Sequence, residues 1–298
     1  MIDYWLFSNM TIKRYKQLIS LVAGLAMIVL ILTIRLYWQE HNKPNVEVVF
    51  LDIGQGDSIL IKTKYNQQIL IDGGPDNKVL DRLGRNLPFY DHDLDIVIAT
   101  HPDADHVAGL VSVPERYKVG LFLGGGLVHD TAIYKALGEM VQQKQIPARF
   151  VASRQVYDLG DNLFLDILYP NTSFVGQDIA DNNVASIVAK LSDGEVDYLF
   201  TGDATVETES ELIKAYGAYL NSEILKVGHH GSRTSTGDLF LQAVSPEAAV
   251  IQVGKQNRYG HPSPSVLGKL SDLGVPVFRN DELGDIRMIS DGEFVELK

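Results

Sequence analysis

There is no cysteine in this chain, so no disulfide can form. That absence suits an oxidising and a reducing compartment equally and decides neither. Positive charge is scarce over most of the length. Residues 1–44 carry five Lys/Arg against Asp3 and Glu40, a net +3, which leaves −15 for the remainder of a chain with net charge −12. An acidic body of this kind has no general grip on nucleic acid, whose affinity rests on neutralising phosphates. A polyanionic substrate would need a local source of positive charge. Beyond a short polar stretch, "QEHNKPN" (39–45), there is no second linker, low-complexity tract or repeat. Residues 45–298 are therefore expected to form one domain with a sizeable core.

Long hydrophobic runs are missing too, with one exception. "LISLVAGLAMIVLILTI" (18–34) holds no charge, and with "RLYWQ" behind it the run reaches about residue 38, enough to cross a bilayer. It is apolar on all faces and lies near the N-terminus, which favours a span over a core helix. It is long for a cleaved signal peptide, and no small-x-small site follows it cleanly. Arg35 can reach back to the interface, where Tyr37 and Trp38 also suit the aromatic belt. Lys13, Arg14 and Lys16 precede the run, against Arg35 and Lys43 after it. That bias puts the N-terminus inside and the rest outside the cytoplasmic membrane. Residues 1–44 thus read as an uncleaved anchor, spanning about 18–38, plus linker.

The remainder opens as strands, "VEVVFLDI", "SILIKT" and "QILID", separated by the turns "GQGD" and "KYNQ". A buried strand, "LDIVIAT", comes next. Helical patterns appear in 130–144, 205–217 and 263–274. They alternate with the strand-like "ASIVAKL", "VDYLFTG", "SEILKVG" and "AAVIQVG". The expected class is a mixed α/β sandwich with helices on its outer faces.

Histidine placement carries the chemistry. His101, His106, His229, His230 and His261 each follow a strand-like run in a loop. Such strand ends are where sites assemble in α/β sheets. His92 and His129 stand alone and are expected to be solvated. In "HPDADH" (101–106) two histidines and two aspartates crowd into six residues. An Asp capping a following helix would explain one of the four. A metal ion explains all of them, because neighbouring carboxylates need a cation between them. In "YLFTGDATVE" (198–207), Asp203 taken alone fits a helix cap. "LKVGHHGSRTS" (225–235) places adjacent histidines at a strand end, one a candidate ligand and the other a candidate substrate contact. His261 in "NRYGHPSPS" fits a structural turn or a site equally. Asp72 in "IDGGPD" is a turn residue or a carboxylate that orients a ligating histidine. "GQGD" (54–57) reads as a hairpin turn before a phosphate cradle.

In order and context, Asp72, "HPDADH", "TGD" and "GHHGS" resemble the metallo-β-lactamase fold family. More narrowly, "FLDIGQGDSILI", "IDGG", "ATHPDADHVAGL", "DNNVASIVAKL", "FTGDA", "LKVGHHGSRTS", "NRYGHP" and "RNDELGDI" resemble the hydrolase domain of ComEC-type DNA-internalisation proteins. The similarity runs from about Val46 to the end. It implies an αββα sandwich with two divalent metal ions at one edge. His101 and Asp103 would belong to the first metal, and Asp105 and His106 to the second. Asp203 would bridge them and His230 complete the second site. The family's HxHxDH motif has Asp103 in place of a histidine, and its later motif histidine falls near Asn182 and Asn183. These departures shift preference from zinc toward manganese. Asp105 and His229, with His261 and Asp72, are the expected catalytic group. Asn183, Ser232 and Arg233 are expected at the substrate, and Lys226 is expected by alternation to point away.

The resemblance implies a phosphodiesterase or nuclease acting on DNA outside the cytoplasmic membrane in a competence-like role. One span does not make a DNA channel, so a separate channel protein is the expected partner. The rivals are a hydrolase of another phosphoester, from an envelope polymer or a nucleotide, and a non-catalytic metal-stabilised binding module.

Overall fold

The computed structural model describes residues 2–41 and 44–298. The chain forms two units, Met1–Lys43 and Pro44–Lys298. The first is one helix, Ile2–His41. Within it Arg14–Arg35 is long and apolar enough to cross a membrane, and every side chain there is exposed. The side chains of Tyr37 and Trp38 lie outside the described residues, as do Asn42 and Lys43 of the expected linker. Gln39–His41 of that linker is helical.

The second unit is built from two sheets. Its strands are β1 (Val46–Phe50), β2 (Ile59–Thr63), β3 (Gln68–Ile71), β4 (Asp93–Ala99), β5 (Lys118–Gly124) and β6 (Ala148–Phe150). Then come β7 (Gln155–Gly160), β8 (Leu163–Tyr169), β9 (Val188–Asp193), β10 (Val196–Phe200), β11 (Ile224–Lys226), β12 (Ala248–Ile251) and β13 (Val277–Arg279). β14 (Ile286–Ser290) and β15 (Val295–Leu297) return to the first sheet. The orders are β15-β14-β1-β2-β3-β4-β5-β6 and β13-β12-β11-β10-β9-β8-β7.

Each sheet changes character once. β1, β2 and β3 pair antiparallel, after which β3 through β6 run parallel. Likewise β7 through β10 are antiparallel, and β10 through β13 parallel. The parallel halves need long crossovers, and the helices supply them.

Alternation within the strands explains why both faces of each sheet are buried. In β1, Val46, Val48 and Phe50 face the space between the sheets, where they meet Ile61, Ile98, Leu165, Tyr198 and Phe200. Val49 points outward with Leu60, Leu70 and Val97 to pack on Leu83 and Leu137 of the helices Lys78–Asn86 and Ala132–Gln143. On the far side, Leu199, Leu225 and Ile251 meet Leu212, Phe240 and Leu270 of three further helices. Each large side chain so buried stabilises the fold by about 1.5–3 kcal/mol. The result is a four-layer αββα sandwich. The helix Pro264–Asp272 shows the local logic: Ser263 caps it by accepting from the Val266 N–H, and Pro264 fills the first turn, where no donor is needed.

Candidate metal centre

The two changes of sheet character bring the site together. Asp72 follows β3 and His101 follows β4, while Asp203 follows β10 and His229–His230 follow β11. All leave the carboxyl ends of strands at the edge where the two sheets face each other. Two glycines allow the close approach. Gly56 adopts φ +132°, and a Cβ there would lie 2.0 Å from the Asp105 carbonyl oxygen. A Cβ on Gly109 would lie 2.0 Å from that of Gly73.

Three imidazoles have their Nδ1 side occupied and their Nε2 side bare. His106 Nδ1 lies 2.8 Å from Asp72 Oδ2, and His230 Nδ1 lies 2.9 Å from the Gln252 carbonyl oxygen. His101 Nδ1 is 3.0 Å from Thr100 Oγ1, which itself donates to Asp72 Oδ2 at 2.7 Å. Carboxylate and carbonyl can only accept, so Nδ1 of His106 and of His230 carries the proton, while His101 Nδ1 also lies 3.2 Å from the Ser186 hydroxyl oxygen. The three Nε2 atoms are buried without a hydrogen-bond partner, as is Asp203 Oδ1. His106 Nε2 stands 3.3 Å from Asp203 Oδ1, and His230 Nε2 stands 3.3 Å from Asp105 Oδ2 and 3.5 Å from Asp203 Oδ2. Buried polar atoms left unpaired are costly, and bare imidazole nitrogens facing carboxylate oxygens are the donor set of a divalent metal. The residues fit such ions. His101, His106 and Asp203 converge as one group and Asp105, His106 and His230 as another.

Charge points the same way. Burial opposes ionisation of His106 and His230, yet Asp203 with Asp72 outweighs it at His106, and Asp203 with Asp57 at His230. His106 is thereby held well above its ordinary value and His230 is pushed up to about 10. Burial would raise Asp203 and Asp105, but the neighbouring imidazoles hold both below the usual carboxylate range. His101 is lowered, by burial and by His106 beside it. The cluster calls for cations.

The remaining expected residues fall as follows. Asp72 is fully buried and also accepts from the Thr100 N–H at 2.8 Å, so it braces His106 directly and His101 through Thr100. Asp103 is partly exposed, its Oδ2 3.8 Å from His101 Nε2. Asn182, rather than Asn183, reaches the cluster: its amide donates to Asp103 Oδ1 at 2.8 Å. Asn183 Oδ1 is buried without a partner. His129 is not isolated, since its Nδ1 lies 3.3 Å from the Asn182 amide nitrogen. His229 Nε2 lies 3.7 Å from Asp203 Oδ2, and its Nδ1 lies 3.2 Å from Thr234 Oγ1. The His261 ring is 5.8 Å from that of His229. Strand alternation does not separate His229 from His230, because both sit in a tight turn at φ 49° and 54°. Ser232 commits its hydroxyl to Thr234 at 2.9 Å, and Arg233 is exposed.

Two residues escape sequence reasoning. Lys226 does not point away: it is fully buried, donates to the Gly202 carbonyl at 2.8 Å and pairs with Asp57. Asp57, in the "GQGD" turn, is buried with Oδ1 3.2 Å from His230 Nδ1. Burial would raise Asp57, but Lys226 and His230 hold it below its ordinary value. The turn is held by Gln252, whose amide donates to the Leu51 and Ser58 carbonyls. The signal was the turn's place among the motifs shared with ComEC-type domains.

The chain belongs to the metallo-beta-lactamase superfamily, which it matches over residues 51–255. It is similar to ComE operon protein 3 of Bacillus subtilis (strain 168), at 31% identity over 81% of this chain and 32% of that protein. It is also similar to Competence protein ComA of Neisseria gonorrhoeae, at 29% identity over 80% of this chain and 32% of that one. The chain thus spans about a third of the length of these curated relatives. Among solved structures, Igni18, a metallo hydrolase from the archaeon Ignicoccus hospitalis, shares the fold with a TM-score of 0.53 at 14% identity, covering 81% of this chain and 98% of its own.

Proposed function

We propose that this protein is a membrane-anchored, metal-dependent phosphodiesterase that cleaves DNA outside the cytoplasmic membrane. The observation that carries this is the set of three bare imidazole nitrogens converging on Asp105 and Asp203. His101, His106, His230, Asp105 and Asp203 would hold two divalent ions, with Asp103 beside His101. When bound, the ions supply Lewis acidity and the positive charge that a phosphodiester needs on an acidic body. Asp103 in place of an imidazole makes the first position richer in oxygen, which favours manganese over zinc.

The protein's own groups supply the rest. Asp72 and the Gln252 carbonyl keep the ligand histidines in one tautomer. His229, half-buried beside Asp203, is placed to give a proton to the leaving oxygen, with His261 adjacent. Similarity to competence proteins supports DNA as the substrate. Among the described residues one helix is long and apolar enough to span a membrane, which supports the anchor.

The test uses the full chain in detergent, stripped of metal and reloaded with manganese, zinc or magnesium. Cleavage of single- and double-stranded DNA is measured, with Asp203→Ala alongside. Manganese-dependent cutting that disappears in the variant is expected. Two ions bound with no DNA cut would move the substrate to another phosphoester, and no ion bound would sink the reading.

A further inference from the structure

A cavity of about 400 Å³ opens beside the candidate metal centre, lined by Gln55, Lys78, Asp105, Arg258 and Tyr259 among others. Asp105 joins the two, since its Oδ2 is 3.3 Å from His230 Nε2. Lys78 and Arg258 are exposed, neither pairs with a carboxylate among the described residues, and Arg258 donates to the Tyr259 hydroxyl oxygen at 3.2 Å. On a domain this acidic, two cations at one cavity that are not neutralised by a carboxylate are a local anion site.

The Tyr259 ring is 55% exposed, so it is not there to fill the core. It lies nearly parallel to His261, at 14° and 5.9 Å between centroids. His261 meets His229 at 5.8 Å, and His229 reaches Asp203. A column of rings therefore runs from solvent to the metal centre, stacked between Tyr259 and His261 and edge-on, at 65°, between His261 and His229. The Arg258 guanidinium sits 5.3 Å from the Tyr259 centroid, at the outer end of that column.

We propose that this cavity is the subsite for the nucleotide next to the cleaved phosphate of a single strand. The base stacks on Tyr259, and the flanking phosphates meet Lys78 and Arg258. The assignment rests on the phosphodiesterase reading above and names its strand preference. A duplex keeps its bases stacked inside and cannot offer one to Tyr259, whereas every unpaired base has a free π face.

Binding, read without turnover, separates this assignment from the reading it rests on. The full chain in detergent, stripped of metal so that nothing is cut, is titrated against a fluorescent single-stranded oligothymidylate and against a duplex, by anisotropy. Wild type is expected to prefer the single strand. Tyr259→Ala should weaken that binding by about tenfold and leave the duplex nearly unmoved, and Tyr259→Trp should restore it. Lys78→Ala with Arg258→Ala should flatten the log–log salt dependence by about 1.4 for two lost phosphate contacts. These shifts support the subsite even if no phosphodiester is ever cut. Equal losses on single strand and duplex, no loss in Tyr259→Ala, or no binding by wild type would each overturn it.

Discussion

At the scale of residues, the candidate centre depends on two side chains that need not touch an ion. Asp72 holds His106 through Nδ1 and reaches His101 through Thr100. In Asp72→Asn one oxygen becomes an amide donor facing groups that also donate, so the imidazoles lose their fixed tautomer. Metal affinity should fall about 10–100-fold in a competition titration with a chromogenic chelator. Unchanged affinity would show that Asp72 does not act through the histidines. Lys226 is the other. Replacing it with methionine leaves Asp57 buried with only the His230 imidazole to offset its charge, at a cost of about 3–5 kcal/mol. Adding Asp57→Asn should recover most of that loss in thermal unfolding, and two independent losses would contradict the pairing. The histidines and aspartates of "HPDADH" were legible because such types rarely crowd a strand end without a cation. Asp57 and Lys226 were not, because an aspartate in a turn and a lysine in a strand are ordinary until something is seen opposite them.

The elements add a pH dependence away from the centre. Glu209, in the helix Val206–Tyr216, accepts the backbone N–H groups of Thr236 and Gly237 and so pins the loop after the histidine pair. Burial pushes its carboxyl up to about 7, although those two N–H groups pull the other way. A group raised above its unfolded value favours folding at low pH and loses that advantage as pH rises through the raised value. The stability of wild type relative to Glu209→Gln should therefore fall by roughly 2–3 kcal/mol between about pH 5 and pH 8. A flat difference would mean that the N–H pair fully solvates the charge. Helices 130–144, 205–217 and 263–274 were read within two residues of their observed bounds, Ala132–Gln143, Val206–Tyr216 and Pro264–Asp272. Their apolar spacing is local. The positive φ of His229 and His230 was not legible, because it accompanies contacts with the Gly202 and Gln252 carbonyls, which come from other elements.

For the whole molecule, the cysteine-free sequence makes orientation measurable. A single Tyr90→Cys change, at a side chain 73% exposed, should react with a membrane-impermeant maleimide in intact cells. Labelling only after lysis would put the domain inside and end the extracytoplasmic proposal. By itself the sequence determined the apolar run, the acidic body, the alternation of strands and helices, and the residue types at the strand ends. Each of these is a property of neighbours along the chain. The tertiary structure alone decided that the carboxyl ends of β3 and β4 face those of β10 and β11. It alone buried Lys226 against Asp57 and set Tyr259 at the edge of a cavity that Asp105 also lines. Such pairings join residues far apart in sequence, and they exist only once both sheets have closed on their common core.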